Sequence, residues 1–196
     1  IINSYIIKLF LSFCLLAFSY ISPILAQKDS VNSSNYLLII NSYTEAAPWS
    51  FRMISAITEY AQNSPQLALY TEHMNMLMMD TDSTLNEFRQ AVLEKYKRHS
   101  PRMLILLGNS SMILRDDFRK MWGNIPIILC AEEDYIGPKE FYLQKKPVEL
   151  TARTPIADMA QPYNLTFLHS NFYIKENIDL ICRMTPDIKN FIFIGD

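Results

Sequence analysis

Tyr36-Leu37-Leu38-Ile39-Ile40-Asn41-Ser42-Tyr43 is the stretch on which the reading of the fold turns. Leu37 to Ile40 form a continuous apolar run, the pattern of a strand buried on both faces of a parallel sheet. Asn41 to Ala47 then read as a polar loop. Pro48 suits the first turn of a helix, where its missing N–H costs nothing, and Phe51, Ile54, Ile57 and Ala61 recur at helical spacing. The opening unit is therefore strand, loop, helix.

The same unit repeats downstream. Leu67 to Thr71 reads as a second strand, and Thr84 with Glu87 makes a capping-box signature for a helix carrying Leu85, Phe88, Val92 and Tyr96 on one face. Met103 to Leu107 is a third strand. Asn109, Ser110 and Ser111 supply N-cap candidates for a helix whose stripe, Ile113, Leu114, Phe118 and Met121, stops at Gly123. Ile125 to Cys130 is a fourth strand, followed by the acidic loop Ala131 to Asp134. This alternation predicts an α/β fold, a parallel sheet with helices on both faces joined by right-handed crossovers, and places a first lobe at residues 36–146.

Periodicity lapses from Gly137 to Tyr163, where Pro138, Pro147, Pro155 and Pro162 punctuate mixed polar sequence. Residues 147–170 are read as a surface excursion or an interlobe connection, with Asn164 to His169 having the makings of a strand. Ile174, Ile178, Ile181 and Met184 predict a further helix, and Phe191 to Ile194 one more buried strand. Residues 171–196 are accordingly expected to begin a second lobe. A domain does not naturally finish on a central strand with its edge unpaired, so the expectation is a sequence cut short.

Hydrophobic residues make up 49% of the 196 and charged residues 19%, enough apolar material for a packed core and no signature of disorder. A net charge of -2 with scattered Lys and Arg leaves no electrostatic footprint for nucleic acid, and no nucleic-acid partner is expected. Residues 1–26 stand apart, because Lys8 is their only charge. Leu9 to Tyr20 fits the apolar core of a secretory signal peptide, and cleavage after Ala26 is favoured. The alternative is an uncleaved membrane helix, for which about 20 apolar residues suffice. Either reading puts the remainder, starting with a linker at 27–35, outside the cytoplasm, in a periplasmic or other extracytoplasmic location. Phe13 before Cys14 argues against lipidation there. Cys130 and Cys182 read as buried small hydrophobes, with one disulfide between them open in an oxidising compartment.

In open parallel sheets ligands bind beyond the carboxyl ends of the strands. Four loops are thereby nominated: Asn41 to Trp49, the neighbourhood of His73, Gly108 to Ser111, and Glu132 to Asp134. The chain has four glycines and none in the first loop, which excludes a dinucleotide fingerprint or a P-loop, and no cofactor is expected. Asn41 and Asn109 occupy positions where a phosphoacceptor site would need carboxylates. Ser42, Ser110 and Ser111 have neither a nearby base nor a glycine-flanked elbow, so no catalytic residue is assigned. No CxxC accompanies His73, His99 and His169, and the methionines from Met74 to Met79 read as core filler, so no metal site is assigned. Amides, hydroxyls and two aromatic rings remain, the equipment of reversible small-molecule recognition. The candidate ligand-binding residues are Asn41, Ser42, Tyr43, Trp49, Asn109, Ser110 and Glu132. Each has a structural alternative: Trp49 packing its helix against the sheet, Asn109 and Ser110 capping theirs, Glu132 standing in a solvated loop.

Taken together, Leu37 to Tyr43 with Pro48-Trp49, Leu69 to Met74, Leu104 to Asn109 and Ile125 to Ala131 resemble the ABC-type substrate-binding-protein-like sensor domain found at the N-termini of bacterial membrane histidine kinases, including hybrid two-component sensors. The resemblance covers roughly residues 36–196, and the glycine usual in the family's first loop is replaced by Ala46 or Ala47. It implies two α/β lobes with a small-molecule ligand between them and a membrane connection through a parent chain, with a homodimer as one open arrangement. Any kinase activity would then belong to the parent chain and not to this segment. A free-standing solute-binding protein of a transporter and an exported α/β hydrolase are the alternatives.

Overall fold

The computed structural model describes residues 35–64, 66–147, 149–170 and 173–192. The expected signal peptide, nearly all of the expected linker and the end of the expected strand at 191–194 lie outside the described residues.

Strands β1 (Tyr36–Asn41), β2 (Ala68–His73), β3 (Met103–Leu107), β4 (Ile127–Ala131) and β7 (Leu165–His169) form one five-stranded sheet in the order β2-β1-β3-β4-β7. Every neighbouring pair is parallel. Two short strands, β5 (Tyr135–Ile136) and β6 (Thr154–Pro155), make a separate antiparallel ribbon. Among the described residues the α-helices are α1 (Pro48–Gln62), α2 (Asp82–Tyr96), α3 (Arg115–Trp122), α4 (Lys139–Gln144), α5 (Ile156–Met159) and α6 (Ile174–Met184). The α/β class and the parallel sheet with helices on both faces are as the sequence predicts.

Alternation along the strands sends successive side chains to opposite faces. Leu38, Ile40, Leu104, Leu106 and Leu129 point to the first face, where Leu85 and Val92 of α2 and Phe118 of α3 meet them. Phe118 stacks on Trp122 with ring centroids 5.1 Å apart. Each fully buried side chain of this size contributes roughly 1.5–3 kcal/mol of burial. Ile39, Ile105, Leu107 and Cys130 point to the second face, covered by Trp49, Met53, Ile54 and Ile57 of α1.

Several sequence expectations need correction. Phe51, placed on the buried stripe of α1, is 56% exposed; the stripe runs through Ser50 and Ala61, about 100° around the helix from Phe51. Ser50 is polar and escapes an apolar-periodicity reading, yet it is buried because Asn41 Nδ2 donates to its Oγ at 3.2 Å. The cap of α2 is Thr81, whose Oγ1 accepts from the Thr84 backbone N–H, so Thr84 and Glu87 form no capping box. Gly108, not Asn109, precedes the helical segment after β3, which opens as a 3-10 turn over Asn109–Leu114 before α3 begins. Gly123 stops α3 as expected, at φ 74° and ψ -146°, a positive-φ conformation that glycine adopts at little cost.

The first sheet extends beyond residue 146, because β7 pairs along β4 from Leu165 to His169. The segment before it is anchored: Ile136, Leu143, Ile156 and Met159 are buried in the first-face core. Lys145, left-handed at φ 53°, donates from Nζ to the carbonyls of Met76 and Met79. Those two methionines and Met74 are core residues, whereas Met78 is exposed. Helix α6 forms where expected, but Ile174, Ile178, Ile181 and Met184 are exposed, and so is Cys182; only Cys130 fits the reading of a buried thiol. Both thiols are free. Phe191 and Ile192 are not in a strand.

Candidate functional site

The strand order reverses beside β1, since the chain leaves β1 for β2 on one side and returns to β3 on the other. In doubly wound sheets this is where the connecting segments part and leave a crevice at the carboxyl ends. Tyr43, just past β1, and Gly108, just past β3, stand there. Glu132 follows β4, His169 ends β7 and Ser170 lies just past it.

Hydrogen bonds lace these ends together. Ser42 N–H donates to Leu107 O at 2.9 Å, Gly108 N–H to Cys130 O at 2.8 Å, and Ser170 N–H to Ala131 O at 2.8 Å. Above that backbone lattice, Tyr43 Oη donates to Glu132 Oε1 at 3.3 Å, and Trp49 Nε1 donates to Ser170 Oγ at 3.2 Å. The Tyr43 and Trp49 rings meet edge to face with centroids 5.6 Å apart, a geometry favoured by the ring quadrupoles. His169 Nε2 lies 2.8 Å from Glu132 O. One half-buried rim thus carries a phenol, an indole, an imidazole, a carboxylate and a hydroxyl, drawn from the ends of β1, β4 and β7 and from the start of α1.

Gly108 makes that rim possible. It sits at φ 87°, ψ 147°, a region open essentially to glycine alone. A Cβ there would stand 2.9 Å from both Cβ and Oγ of Ser42 and 3.0 Å from Cε2 of Tyr43. The Tyr43 ring can lie against the β3 turn only because that turn has no side chain.

The seven sequence candidates divide into two groups. Tyr43, Trp49 and Glu132 come together on the rim. Asn41 is completely buried and spends its amide on the scaffold: Oδ1 accepts from Tyr43 N–H, and Nδ2 lies 3.0 Å from His73 Nδ1 as well as near Ser50 Oγ. Ser42 is buried with Oγ donating to Gly108 O, and Ser110 is buried in the 3-10 turn. Asn109 neither caps a helix nor faces outward. Its Nδ2 donates to the carbonyls of Glu133 and Tyr135 at 2.8 and 2.9 Å, while Oδ1 accepts from the N–H groups of Glu132 and Glu133. Four bonds from one side chain hold the 132–135 loop, and with it the backbone that carries Glu132.

His169 and Ser170 also belong to the rim; they lie at and just past the end of the fifth strand, whose sequence reads as part of a connecting segment. The chain's own signal was the apolar pair Phe167-Leu168 followed by polar residues, the same strand-to-loop change read at the other four sites.

Among the described residues, no three His, Cys, Asp or Glu side chains are grouped so as to hold a metal ion, and no helix is long and apolar enough to cross a membrane. Comparison of the chain with protein-family models, with curated proteins and with solved structures yields no match.

Proposed function

We propose that this chain is the extracytoplasmic small-ligand-sensing segment of a membrane signal-transduction protein, and that ligand is gripped at the rim formed by Tyr43, Trp49 and Glu132. The observation that carries the reading is the convergence of these three side chains at the strand-order reversal, with Tyr43 bonded to Glu132 and set edge to face against Trp49. Aromatic walls supply contact area, and the phenol and carboxylate supply orientation, the usual division of labour in reversible recognition. Because Tyr43 and Glu132 satisfy each other before ligand arrives, binding exchanges that bond for bonds to ligand. The exchange changes the spacing between the β1 and β4 ends, and a second lobe or a parent chain would read that spacing as a shift in population between open and closed arrangements. The segment binds its ligand without turning it over, and any catalysis resides in the parent.

The test is a thermal-shift screen of the chain against amino acids, sugars and nucleosides. A true ligand at 100 times its Kd stabilises the folded state by about 2.7 kcal/mol, and Tyr43→Phe and Glu132→Gln should each remove most of that gain. If no compound raises the melting temperature, or if the two variants respond as fully as the parent protein, the rim is not the binding site. Conversion of a bound compound to product would instead identify an enzyme.

A further inference from the structure

Helix α1 has two flanks. Trp49 reaches from one toward Ser170 after β7. The other overlooks β2, the edge strand of the sheet, and there a cavity of about 430 Å³ opens between helix and strand. Its floor is Thr71 and His73, which pair with Ile39 and Asn41 and so share the second face of the sheet with them. Its wall includes Phe51 and Ile54, and Glu45 and Glu59 also line it. Phe51 is the residue that the α1 stripe leaves 56% exposed, so a large aromatic surface borders the groove with its ring accessible.

The charge of the groove is one-sided. Two carboxylates line it, and among the described residues no Lys or Arg does. His73 is held by the scaffold: Tyr43 N–H on Asn41 Oδ1 fixes the orientation of the Asn41 amide, so Nδ2 donates to His73 Nδ1 at 3.0 Å and Nε2 is the nitrogen that carries hydrogen. A bare metal ion does not fit, since no three acidic, thiol or imidazole groups are gathered tightly enough among the described residues. The volume lies in the range of pockets for small organic ligands, about 300–1,000 Å³, and an exposed phenyl ring attracts cations over its face.

We propose that this groove is a second binding site, distinct from the rim, for a small organic ammonium ion with an apolar body. The body lies on Phe51 and Ile54, and the ammonium group is drawn by Glu45 and Glu59.

The experiment is an NMR titration of the full chain with phenethylammonium chloride, with phenethyl alcohol as the uncharged control. Amide shifts should move at Ser55, Thr58, Thr71 and His73. The alcohol should bind about tenfold more weakly, equivalent to about 1.4 kcal/mol, and E45Q/E59Q should weaken the amine by a similar factor. Phe51→Ala should also weaken it, while thermal melting confirms that this exposed position leaves the fold intact. Trp49→Phe, which alters the rim, should leave amine binding unchanged, so the two sites can fail independently. Equal binding of amine and alcohol, indifference to E45Q/E59Q, shifts confined to Trp49 and Ser170, or no binding at all would each overturn the proposal.

Discussion

Trp49 donates its indole N–H to Ser170 Oγ at 3.2 Å, joining the first helical residues to the end of the last sheet strand across 121 positions of chain. Its ring also packs on the second-face core, so Trp49 serves the scaffold and the rim together. Trp49→Phe keeps most of the packing and removes the donor. The expected cost is about 1 kcal/mol, or a fall of about 2–4 °C in melting temperature for a chain of this size. Trp49→Ala should cost more than that because the ring's packing goes too. A melting temperature unmoved in Trp49→Ala would assign the ring to ligand contact alone.

Gly108→Ala is expected to be among the most damaging single-methyl additions in the protein. The backbone conformation alone costs on the order of 1–3 kcal/mol for a side chain, and the new Cβ must push aside Ser42 or the Tyr43 ring, each about 3 Å away. Urea denaturation should register a loss of roughly 2–4 kcal/mol. A loss below about 1 kcal/mol would mean that the β1 and β3 turns yield easily, and that the placement of Tyr43 does not depend on the missing side chain.

The legibility of these features follows the range over which their causes act. β1 and β3 can be read from Leu37–Ile40 and Met103–Leu107 because burial on both faces leaves a purely local mark, an uninterrupted apolar run. β7 is harder: as an edge strand it exposes Thr166, Leu168 and His169, and its sequence differs little from that of a loop. Phe51 misleads because Ser50 and not an apolar residue occupies the buried stripe, and the reason for burying Ser50 is Asn41, nine positions earlier. Asn109 misleads for the same reason. An Asn before a helical run reads as a cap, yet its partners are 23 to 26 residues away. The rim was half visible, since chemical type selects Tyr43, Trp49 and Glu132, but only the register of β4 and β7 brings His169 and Ser170 beside them.

Alkaline stability should decline in a defined window. Burial, aided by Tyr70, pushes the Tyr36 phenol up from 10.0 to about 12, and burial does the same for Tyr142 despite the opposing N–H of Gly137. Tyr96 is raised further by burial and by its hydrogen bond to Glu72. Below pH 10 these phenols are protonated in both states and their contribution is complete. Between about pH 10 and 12 the unfolded chain releases protons that the folded chain retains, so stability falls as pH rises. The slope is at most about 1.4 kcal/mol per pH unit for each phenol. Urea midpoints should therefore drop across that window, and Tyr142→Phe should make the drop shallower. A Tyr142→Phe profile parallel to that of the parent protein would show that the phenol titrates as freely in the folded state as in the unfolded one.

Asn109 offers the sharpest separation between scaffold and ligand contact. If its four bonds hold the 132–135 loop, then Asn109→Ala must loosen that loop with no ligand present. The backbone N–H groups of Glu132 and Glu133 lose their acceptor, and the carbonyls of Glu133 and Tyr135 lose their donor. The loop is partly open to water, which replaces some of these bonds, so the expected destabilisation is about 1–3 kcal/mol and not the sum of four. Hydrogen exchange should accelerate at Glu132 and Glu133 while the amides of β1 stay protected. Asn109→Asp keeps two acceptors for the loop N–H groups but sets a carboxylate against two carbonyl oxygens, so it should recover only part of the loss. Were Asn109→Ala to leave exchange at Glu132 and Glu133 untouched, the loop would be held by β5 and β6 alone, and Asn109 would be free to serve the ligand.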